Sequence, residues 1–226
     1  MAMKIVAVNG SPNGGNGSTG RLLDAVIKGA ESAGADVDVF ELGTLTVKPC
    51  TACRNCQRIG TCTLDDDYSR IKAAMIAADG IVLASPNYIS TVSAQLKALL
   101  DRSFSMIHCQ ILHGKYGACV IASGSPMYQK LEEYLLGVLT SSGCWQVGCI
   151  AAAGGALDDP SQAPDVLSQA RALGGRLVGA ISGKLHFPEQ EQDLRQSFEI
   201  MRWLVREHKD SWPYEFEYWQ MHWKSS

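Results

Sequence analysis

The sequence lacks several features that mark whole classes of protein. It has no run of like charges, a formal net charge of -3 at pH 7 and a pI near 5.9. Because nucleic acids and anionic membrane surfaces attract basic patches, we expect neither as a partner. No apolar run reaches the length that spans a bilayer, and the opening residues MAMKIVAVNGSP show no secretory signal pattern. The sequence therefore predicts a cytoplasmic protein.

Metal-binding histidine patterns are also missing, whereas cysteine is abundant. The five histidines show no ligand spacing, but four of the eight cysteines lie within 13 residues, from Cys50 to Cys62. In a cytosolic chain such a cluster indicates metal or redox chemistry rather than a disulfide framework. We expect the other four to be buried as small hydrophobic residues, since they lie in or beside apolar runs: Cys109, Cys119, Cys144 and Cys149.

The order of hydrophobic segments predicts an α/β fold. Short apolar runs alternate with amphipathic helical runs, which is typical of right-handed crossovers and a parallel sheet. The predicted strands are 4–8, 37–40, 81–84, 117–123 and 147–153, and the predicted helices are 22–30, 67–78, 93–104, 130–139 and 165–181. One further helix and an aromatic tail, SWPYEFEYWQMHW, are expected within 189–226. Five strands of this kind form a doubly wound sheet of either the flavodoxin or the Rossmann type.

The glycine-rich stretch GSPNGGNGSTG, residues 10–20, contains a G-x-G-x-x-G pattern but does not suit a dinucleotide turn. In that turn the first glycine follows the strand at once, whereas about half a dozen residues separate Val8 from Gly15 here. A Walker A loop is excluded because no Gly-Lys-Ser/Thr sequence follows the glycines.

What remains is a hydroxyl-rich loop that runs into a helix. Backbone N–H groups at the helix start, together with the hydroxyls of Ser11, Ser18 and Thr19, would hold a terminal phosphate without a cationic residue. Such a loop suits a mononucleotide such as FMN. The alternative is a flexible glycine loop in which Ser18 is an ordinary helix N-cap.

Serine-proline pairs follow predicted strands one, three and four directly, and all three loops would meet at one edge of the sheet. These pairs are Ser11-Pro12, Ser85-Pro86 and Ser125-Pro126. A serine hydroxyl can bind a polar ligand while proline fixes the turn. The alternative is that these Ser-Pro pairs are ordinary turn residues with no ligand. In the second loop, the aromatic Tyr88 offers a plane for a flat isoalloxazine ring.

The two loops together resemble those of a known family. G-S-P-N-x-x-x-x-S-T after strand one and S-P-x-Y-x-x-x-V-S-A-Q-L-K-x-x-x-D-R after strand three resemble the NADPH-dependent FMN reductase-like flavoproteins of flavodoxin fold. The resemblance covers about residues 3 to 185. It implies phosphate binding by Ser11, Asn13, Ser18 and Thr19, ring binding by Pro86, Asn87, Tyr88 and Ile89, and closure of the far side by Gly124 and Ser125.

The cysteine segment PCTACRNCQRIGTCTLDDDY has C-x2-C-x2-C-x5-C spacing. Three closely spaced thiolates can occupy three corners of a cubane and a fourth follows a short loop, whereas zinc usually prefers two separated C-x-x-C pairs. The spacing therefore favours a 4Fe-4S cluster on Cys50, Cys53, Cys56 and Cys62. It also resembles the compact motif of the iron-sulfur flavoproteins, a branch of the same family. Free thiols or a disulfide without a cluster remain the alternative.

These features predict a flavodoxin-like three-layer sandwich over residues 1–185, with an inserted cysteine-rich loop at 49–67. A C-terminal helical extension, 186–226, would pack on the same domain or on a partner subunit of a homo-oligomer, either a dimer or a tetramer.

The predicted function is an FMN-dependent oxidoreductase that moves electrons between NAD(P)H or a ferredoxin-like donor and a small-molecule or protein acceptor. The chemistry belongs to FMN, so no catalytic side chain is required. The alternatives are a cluster-free NAD(P)H-dependent FMN or quinone reductase, a non-catalytic flavin electron carrier, and a zinc-stabilised interaction domain.

Overall fold

A single five-stranded parallel sheet organises the chain. The computed structural model describes residues 3–159 and 161–223, so residues 224–226 of the predicted C-terminal extension lie outside the described ranges. The strands are β1 (Met3–Asn9), β2 (Ala35–Glu41), β3 (Gly80–Pro86), β4 (Tyr116–Ser123) and β5 (Trp145–Ala153). Neighbouring strands pair in the order β2-β1-β3-β4-β5. This is the flavodoxin-like order, and it confirms the predicted fold class.

Helices cover both faces of the sheet. They are α1 (Ser18–Ser32), α2 (Asn55–Ile59), α3 (Tyr68–Ala77), α4 (Ala94–Asp101), α5 (Phe104–His108), α6 (Gln129–Ser141), α7 (Ala163–Gly183), α8 (Glu191–Glu207) and α9 (Pro213–His222). Apolar side chains of α1 and α7 form one core with the sheet, and those of α3, α4 and α6 form the other. With both faces covered, every residue of β3 is buried, which explains its continuous apolar sequence.

Two glycines allow α1 and α7 to cross in backbone contact. A Cβ atom at Gly29 would lie 2.0 Å from the carbonyl oxygen of Arg171, and one at Gly174 would lie 2.0 Å from that of Val26. Any larger residue at either position would force the helices apart, so this crossing sets how closely α7 packs on the first helix.

The helix predicted at 93–104 is divided in the structure. The first helix, α4, ends at Asp101, and α5 begins at Phe104. At the break, the Ser103 hydroxyl donates to the carbonyl of Leu99, and Arg102 lies buried against the cysteine segment. The helical periodicity continues through this break, so the sequence pattern alone did not reveal it.

The C-terminal residues form two helices rather than one helix and an irregular tail. The second of them, α9, has Pro213 in its first turn, where the missing N–H removes no helical hydrogen bond. The indole of Trp219 donates a hydrogen bond of 2.8 Å to the carbonyl of His108, and the Glu215 carboxylate lies 2.9 Å from the His108 ring. The extension therefore contacts α5 of its own chain. The predicted boundary between 185 and 186 stays a prediction.

Within the described ranges, no helix combines the length and the apolar character needed to cross a bilayer.

Candidate functional site

A cavity of about 340 Å³ opens at the carboxyl edge of the sheet. Residues from the loops after β1, β3, β4 and β5 line it. In an open α/β sheet ligands bind at this edge, near the point where the strand order reverses. The reversal falls between β1 and β3 here, and the loops after both strands contribute to the cavity.

Seven of the ten predicted FMN-binding residues line this cavity: Ser11, Asn13, Ser18, Thr19, Pro86, Tyr88 and Gly124. The other three, Asn87, Ile89 and Ser125, are outside its lining. The structure therefore brings together residues from three loops that are up to 113 positions apart in the sequence (11 to 124).

The first loop presents the start of α1 to the cavity. The backbone turns through a short 3-10 helix at Gly14–Asn16, and the Ser11 hydroxyl accepts a hydrogen bond of 3.2 Å from the N–H of Asn13. The N-cap residue of α1 is Gly17, which has no side chain that could accept a hydrogen bond from the first-turn N–H groups. The interpretation of Ser18 as the N-cap is therefore wrong. The first-turn N–H groups of the helix are left for another acceptor.

A close backbone contact fixes the shape of this loop. A Cβ atom at Gly20 would lie 2.4 Å from the Cα of Gly15 and 2.5 Å from the carbonyl oxygen of Gly14. Glycine at this position therefore lets the loop fold back onto the first turn of α1.

The second loop holds Tyr88 in a tight two-residue turn. The backbone N–H and carbonyl of Tyr88 both pair with Thr91, at 3.0 and 3.1 Å. At the tip, Ile89 and Ser90 have φ of 53° and 60°, a region that disfavours a β-branched residue such as isoleucine. Ile89 is 99% exposed, so its side chain projects into solvent and not into the cavity.

The side chain of Asn87 connects the second and third loops. Its amide donates hydrogen bonds of 3.0 Å to the hydroxyl of Ser123 and to the carbonyl of Met127. The Ser125 hydroxyl accepts a weaker bond of 3.4 Å from the N–H of Met127. Both predicted residues therefore shape the cavity wall through protein contacts, while Ser123 itself lines the cavity.

The loop after β5 contributes residues that sequence reasoning missed. Gly155, Ala156, Leu157 and Asp158 line the cavity beside α1. Arg21 of α1 fastens this loop, because its guanidinium donates to the Asp158 carboxylate at 2.8 Å and to the Leu157 carbonyl at 2.7 Å. The sequence did contain one indication of this loop, since the Gly154-Gly155 pair lies directly after a predicted strand. Both glycines adopt positive φ, 59° and 78°.

One carboxylate lies against the back of the first loop. A side-chain oxygen of Glu41 would be 3.4 Å from a Cβ atom at Gly14, and that oxygen is buried with no hydrogen-bond partner among the described residues. Burial raises the pKa of Glu41, and the nearby polar side chain of Asn9 only partly opposes the effect.

The four clustered cysteines differ in exposure. Cys50 and Cys53 are exposed, whereas Cys56 and Cys62 are half-buried, and all four are free thiols. The backbone N–H of Asn55 makes the largest contribution to a lowered pKa of Cys53, while burial raises the pKa of Cys56. In ranges 3–159 and 161–223, no three Cys, His, Asp or Glu side chains converge into a metal-ligand set.

The thiols nevertheless have donors that suit cluster sulfurs. The backbone N–H of Ala52 donates to the sulfur of Cys50 at 3.4 Å, and the guanidinium of Arg102 donates to that of Cys62 at 3.3 Å. Hydrogen bonds of this kind are typical of iron-sulfur sites, so the donor set and its surroundings fit such a cluster although the ligand shell is not assembled.

The remaining cysteines serve the core. Cys109, Cys119 and Cys144 are buried, as predicted, and Cys149 is half-buried against the same core. Burial raises the pKa of all four thiols, for Cys144 and Cys149 to about 12. They are therefore protonated at neutral pH and poor ligands or nucleophiles.

A comparison with known families identifies the family to which the chain belongs. A profile of the family "NADPH-dependent FMN reductase" matches residues 3–158, which is more than half of the 226-residue chain. The chain belongs to the NADPH-dependent FMN reductase family. It is an FMN-dependent oxidoreductase of flavodoxin-like fold, as the resemblance implied.

Curated relatives carry the name of the predicted branch. An iron-sulfur flavoprotein of Archaeoglobus fulgidus is 28% identical over 219 residues, which cover 96% of this chain and 98% of the relative. An iron-sulfur flavoprotein of Methanosarcina thermophila is 37% identical over 124 residues, 54% of this chain and 64% of the relative. These similarities confirm the recognition of the iron-sulfur flavoprotein branch.

Solved structures share the fold. An NADH:FMN oxidoreductase in its apo form superposes with a TM-score of 0.61 at 22% identity, covering 83% of this chain and 92% of that one. An FMN-dependent NADH-azoreductase of Bacillus anthracis in complex with FMN gives a TM-score of 0.59 at 14% identity, covering 77% and 99%. At these identities the likeness concerns the fold alone.

Proposed function

We propose that the chain binds FMN in the cavity at the carboxyl edge of the sheet and uses it to oxidise NAD(P)H. The observation that carries this proposal is that the uncapped start of α1 and the aromatic Tyr88 line one cavity. When bound, FMN supplies hydride and single-electron chemistry, and a cluster supplies single-electron chemistry. The residues of the chain bind, orient and shield these groups.

The phosphate would lie at the first loop. The first-turn N–H groups of α1, the positive end of its dipole and the hydroxyls of Ser11, Ser18 and Thr19 form an anion site without a cation, and Asn13 lines its side. Arg21 of α1 is paired with Asp158. Through this pair, Arg21 would keep the loop after β5 at the cavity.

The ring would lie between the second and third loops. Pro86 and Tyr88 present a rigid apolar wall, and Gly124 leaves room in the cavity, since no atom of the described residues lies within 4 Å of a Cβ atom at that position. Asn87 and Ser125 would act by holding these walls, and their hydrogen bonds to the third loop support this role. Ile89 would be free to meet a second copy of the chain in a homo-oligomer, since it is fully exposed.

The four cysteines 50, 53, 56 and 62 would hold a 4Fe-4S cluster. Support comes from their spacing and from the N–H groups that donate to the sulfurs of Cys50 and Cys62. Relatives named iron-sulfur flavoproteins support it as well. Thiolates are the ligand form, and the lowered pKa of Cys53 favours it at that position. We propose a cytoplasmic location, where thiols stay reduced.

Steady-state turnover tests the enzymatic assignment. Purified protein reconstituted with FMN is mixed anaerobically with NADH or NADPH and either a quinone or free FMN, and nicotinamide oxidation is followed at 340 nm. We expect turnover that depends on the acceptor. The second candidate is a non-catalytic electron carrier, and the observation that favours it is the cysteine segment. Reduction of the protein by a ferredoxin, with no oxidation of NADH or NADPH, would support this candidate instead.

A further inference from the structure

A buried ion pair attaches the cysteine segment to the flavodoxin core. The side chains of Arg102, at the end of α4, and Asp66, beyond the last clustered cysteine, are each 1% exposed and lie 2.6 Å apart. Burying two charges is costly unless they are paired and fully hydrogen-bonded. A buried pair of this kind therefore points to a role that an apolar contact could not fill.

Four of the five polar side-chain atoms of this pair make hydrogen bonds, and the buried Nε of Arg102 has no partner among the described residues. One nitrogen of the Arg102 guanidinium donates to Asp66 and to the carbonyl of Lys48, at 3.2 Å for the latter, and the other donates to the sulfur of Cys62 at 3.3 Å and to the carbonyl of Leu64 at 3.5 Å. Contacts at 48, 62, 64 and 66 thus bracket the segment on both sides of its four cysteines.

The carboxylate of Asp66 completes the attachment. It accepts hydrogen bonds from the backbone N–H groups of Lys48 at 2.9 Å and Tyr68 at 3.1 Å. The guanidinium of Arg102 also lies 4.2 Å from the centre of the Tyr68 ring, and the Tyr68 hydroxyl donates to the Arg102 carbonyl. Arginine, with five donors on a planar fork, can make all these contacts at once, whereas lysine cannot.

We propose that Arg102 is a positioning residue for the iron-sulfur site: it holds residues 48–66 in place and donates a hydrogen bond to the sulfur of Cys62. The second part rests on the proposed function, because it requires a cluster on the four cysteines. A donor and a positive charge beside a cluster sulfur favour the reduced, more negative state, so Arg102 raises the reduction potential of the cluster.

The position of Arg102 also connects the two cofactor regions. It ends α4, the helix that follows the Tyr88 loop, so the same short stretch of chain meets the proposed ring site at one end and the cysteine segment at the other. A loose attachment would therefore let the cysteines move relative to that site.

The test compares three variants. Arg102→Gln removes the charge and the fork, and Arg102→Lys keeps the charge but loses the fork. Arg70→Gln is the matched control, because Arg70 pairs with Asp67 near the same segment but its side chain is 61% exposed and does not contact a cysteine. Each protein is studied first without a cluster by hydrogen-exchange mass spectrometry, and then after anaerobic reconstitution by potentiometric titration.

Without a cluster, we expect amides in residues 48–66 to exchange at least about tenfold faster in Arg102→Gln than in the wild type, as loss of charge-assisted hydrogen bonds implies. Arg102→Lys should be intermediate, and Arg70→Gln unchanged. After reconstitution, both Arg102 variants should have a lower reduction potential than the control. If Arg102→Gln fails to fold, Arg102→Lys carries both comparisons.

Unchanged exchange in residues 48–66 would overturn the attachment role, and equal potentials in all proteins would overturn the hydrogen bond to the cluster. A wild-type chain that takes up no iron would refute the cluster in the proposed function and the Cys62 part of this inference. The exchange result would still decide whether Arg102 holds the segment.

Discussion

The side-chain amide of Asn87 donates hydrogen bonds of 3.0 Å to the hydroxyl of Ser123 and to the carbonyl of Met127. Through these bonds, the loop that carries Tyr88 is fastened to the loop after β4, and both loops line the cavity that contains the proposed ring site. The separation of the two loops thus depends on one amide group that does not line the cavity.

Asn87→Ala should therefore weaken FMN binding without removing a lining side chain. Two hydrogen bonds of ordinary strength are lost, so we expect the dissociation constant to rise roughly 5- to 30-fold. Quenching of FMN fluorescence on titration with apoprotein measures it. The control is Gln129→Ala, which removes an exposed hydrogen bond of 3.2 Å from the side-chain amide of Gln129 to the carbonyl of Pro126. Equal dissociation constants for the two variants would contradict this role.

The shape of the first loop gives a second prediction. A methyl group at Gly20 meets the backbone of Gly14 and Gly15 at about 2.5 Å, so Gly20→Ala should displace the loop and reduce FMN affinity by more than about tenfold. Gly175→Ala in α7 is the control, because a Cβ atom there has no neighbour within 4 Å in the part of the chain that the structure describes. Circular dichroism would verify that both variants are folded. Retention of full affinity by Gly20→Ala would rule out this loop as the phosphate site.

Much of the fold and of the cavity could be predicted because each rests on local patterns. The apolar runs predicted the five strands, and parallel strands place their following loops at one edge, so the loops that carry Ser11, Pro86 and Ser125 could be placed together from the sequence. The assignment of Gly124 came from the family resemblance. The glycines around residue 15 were informative through their distance from Val8.

Features that depend on distant contacts could not be predicted. The Arg21 side chain holds the β5 loop through Asp158, 137 positions away, and the break after α4 coincides with the burial of Arg102 against Asp66, 36 positions away. The aromatic tail is helical and is held by a hydrogen bond from the Trp219 indole to the carbonyl of His108, 111 positions away. No local periodicity encodes these contacts.

The crossing of α1 and α7 yields a prediction on stability. Gly29→Ala places a methyl group 2.0 Å from the Arg171 carbonyl oxygen, so the helices must separate, and we expect a loss of about 1–3 kcal/mol in the free energy of unfolding. In α7, the methyl group of Gly179→Ala meets no atom of residues 3–159 and 161–223 within 4 Å, so this substitution should raise the free energy of unfolding by about 0.5–1 kcal/mol. Urea unfolding followed by circular dichroism measures both. Similar effects of the two substitutions would contradict the close crossing.

Burial of Glu41 predicts how stability changes with pH. Its pKa in the folded chain is raised above the ordinary value of 4.5, so the folded state keeps this proton to higher pH than the unfolded state does. The contribution of Glu41 to stability is therefore present below pH 4.5 and declines as pH rises through the raised pKa.

Glu41→Gln removes this titration. The variant should match the wild type in acid and be the more stable of the two at neutral pH, as urea unfolding across the pH range would show. A difference between the two proteins that stays constant with pH would mean that the carboxylate of Glu41 is not desolvated against the first loop.

We expect each chain to bind one FMN and to hold one iron-sulfur cluster on its cysteine segment. The most direct measurement is the visible absorption spectrum of anaerobically purified protein, with FMN, iron and acid-labile sulfide determined on the same sample. We predict flavin bands over a broad shoulder, one FMN per chain and about four iron per chain, as expected for a four-cysteine cluster. Flavin bands without iron would contradict the cluster, and protein that binds no FMN even after reconstitution would contradict the site itself.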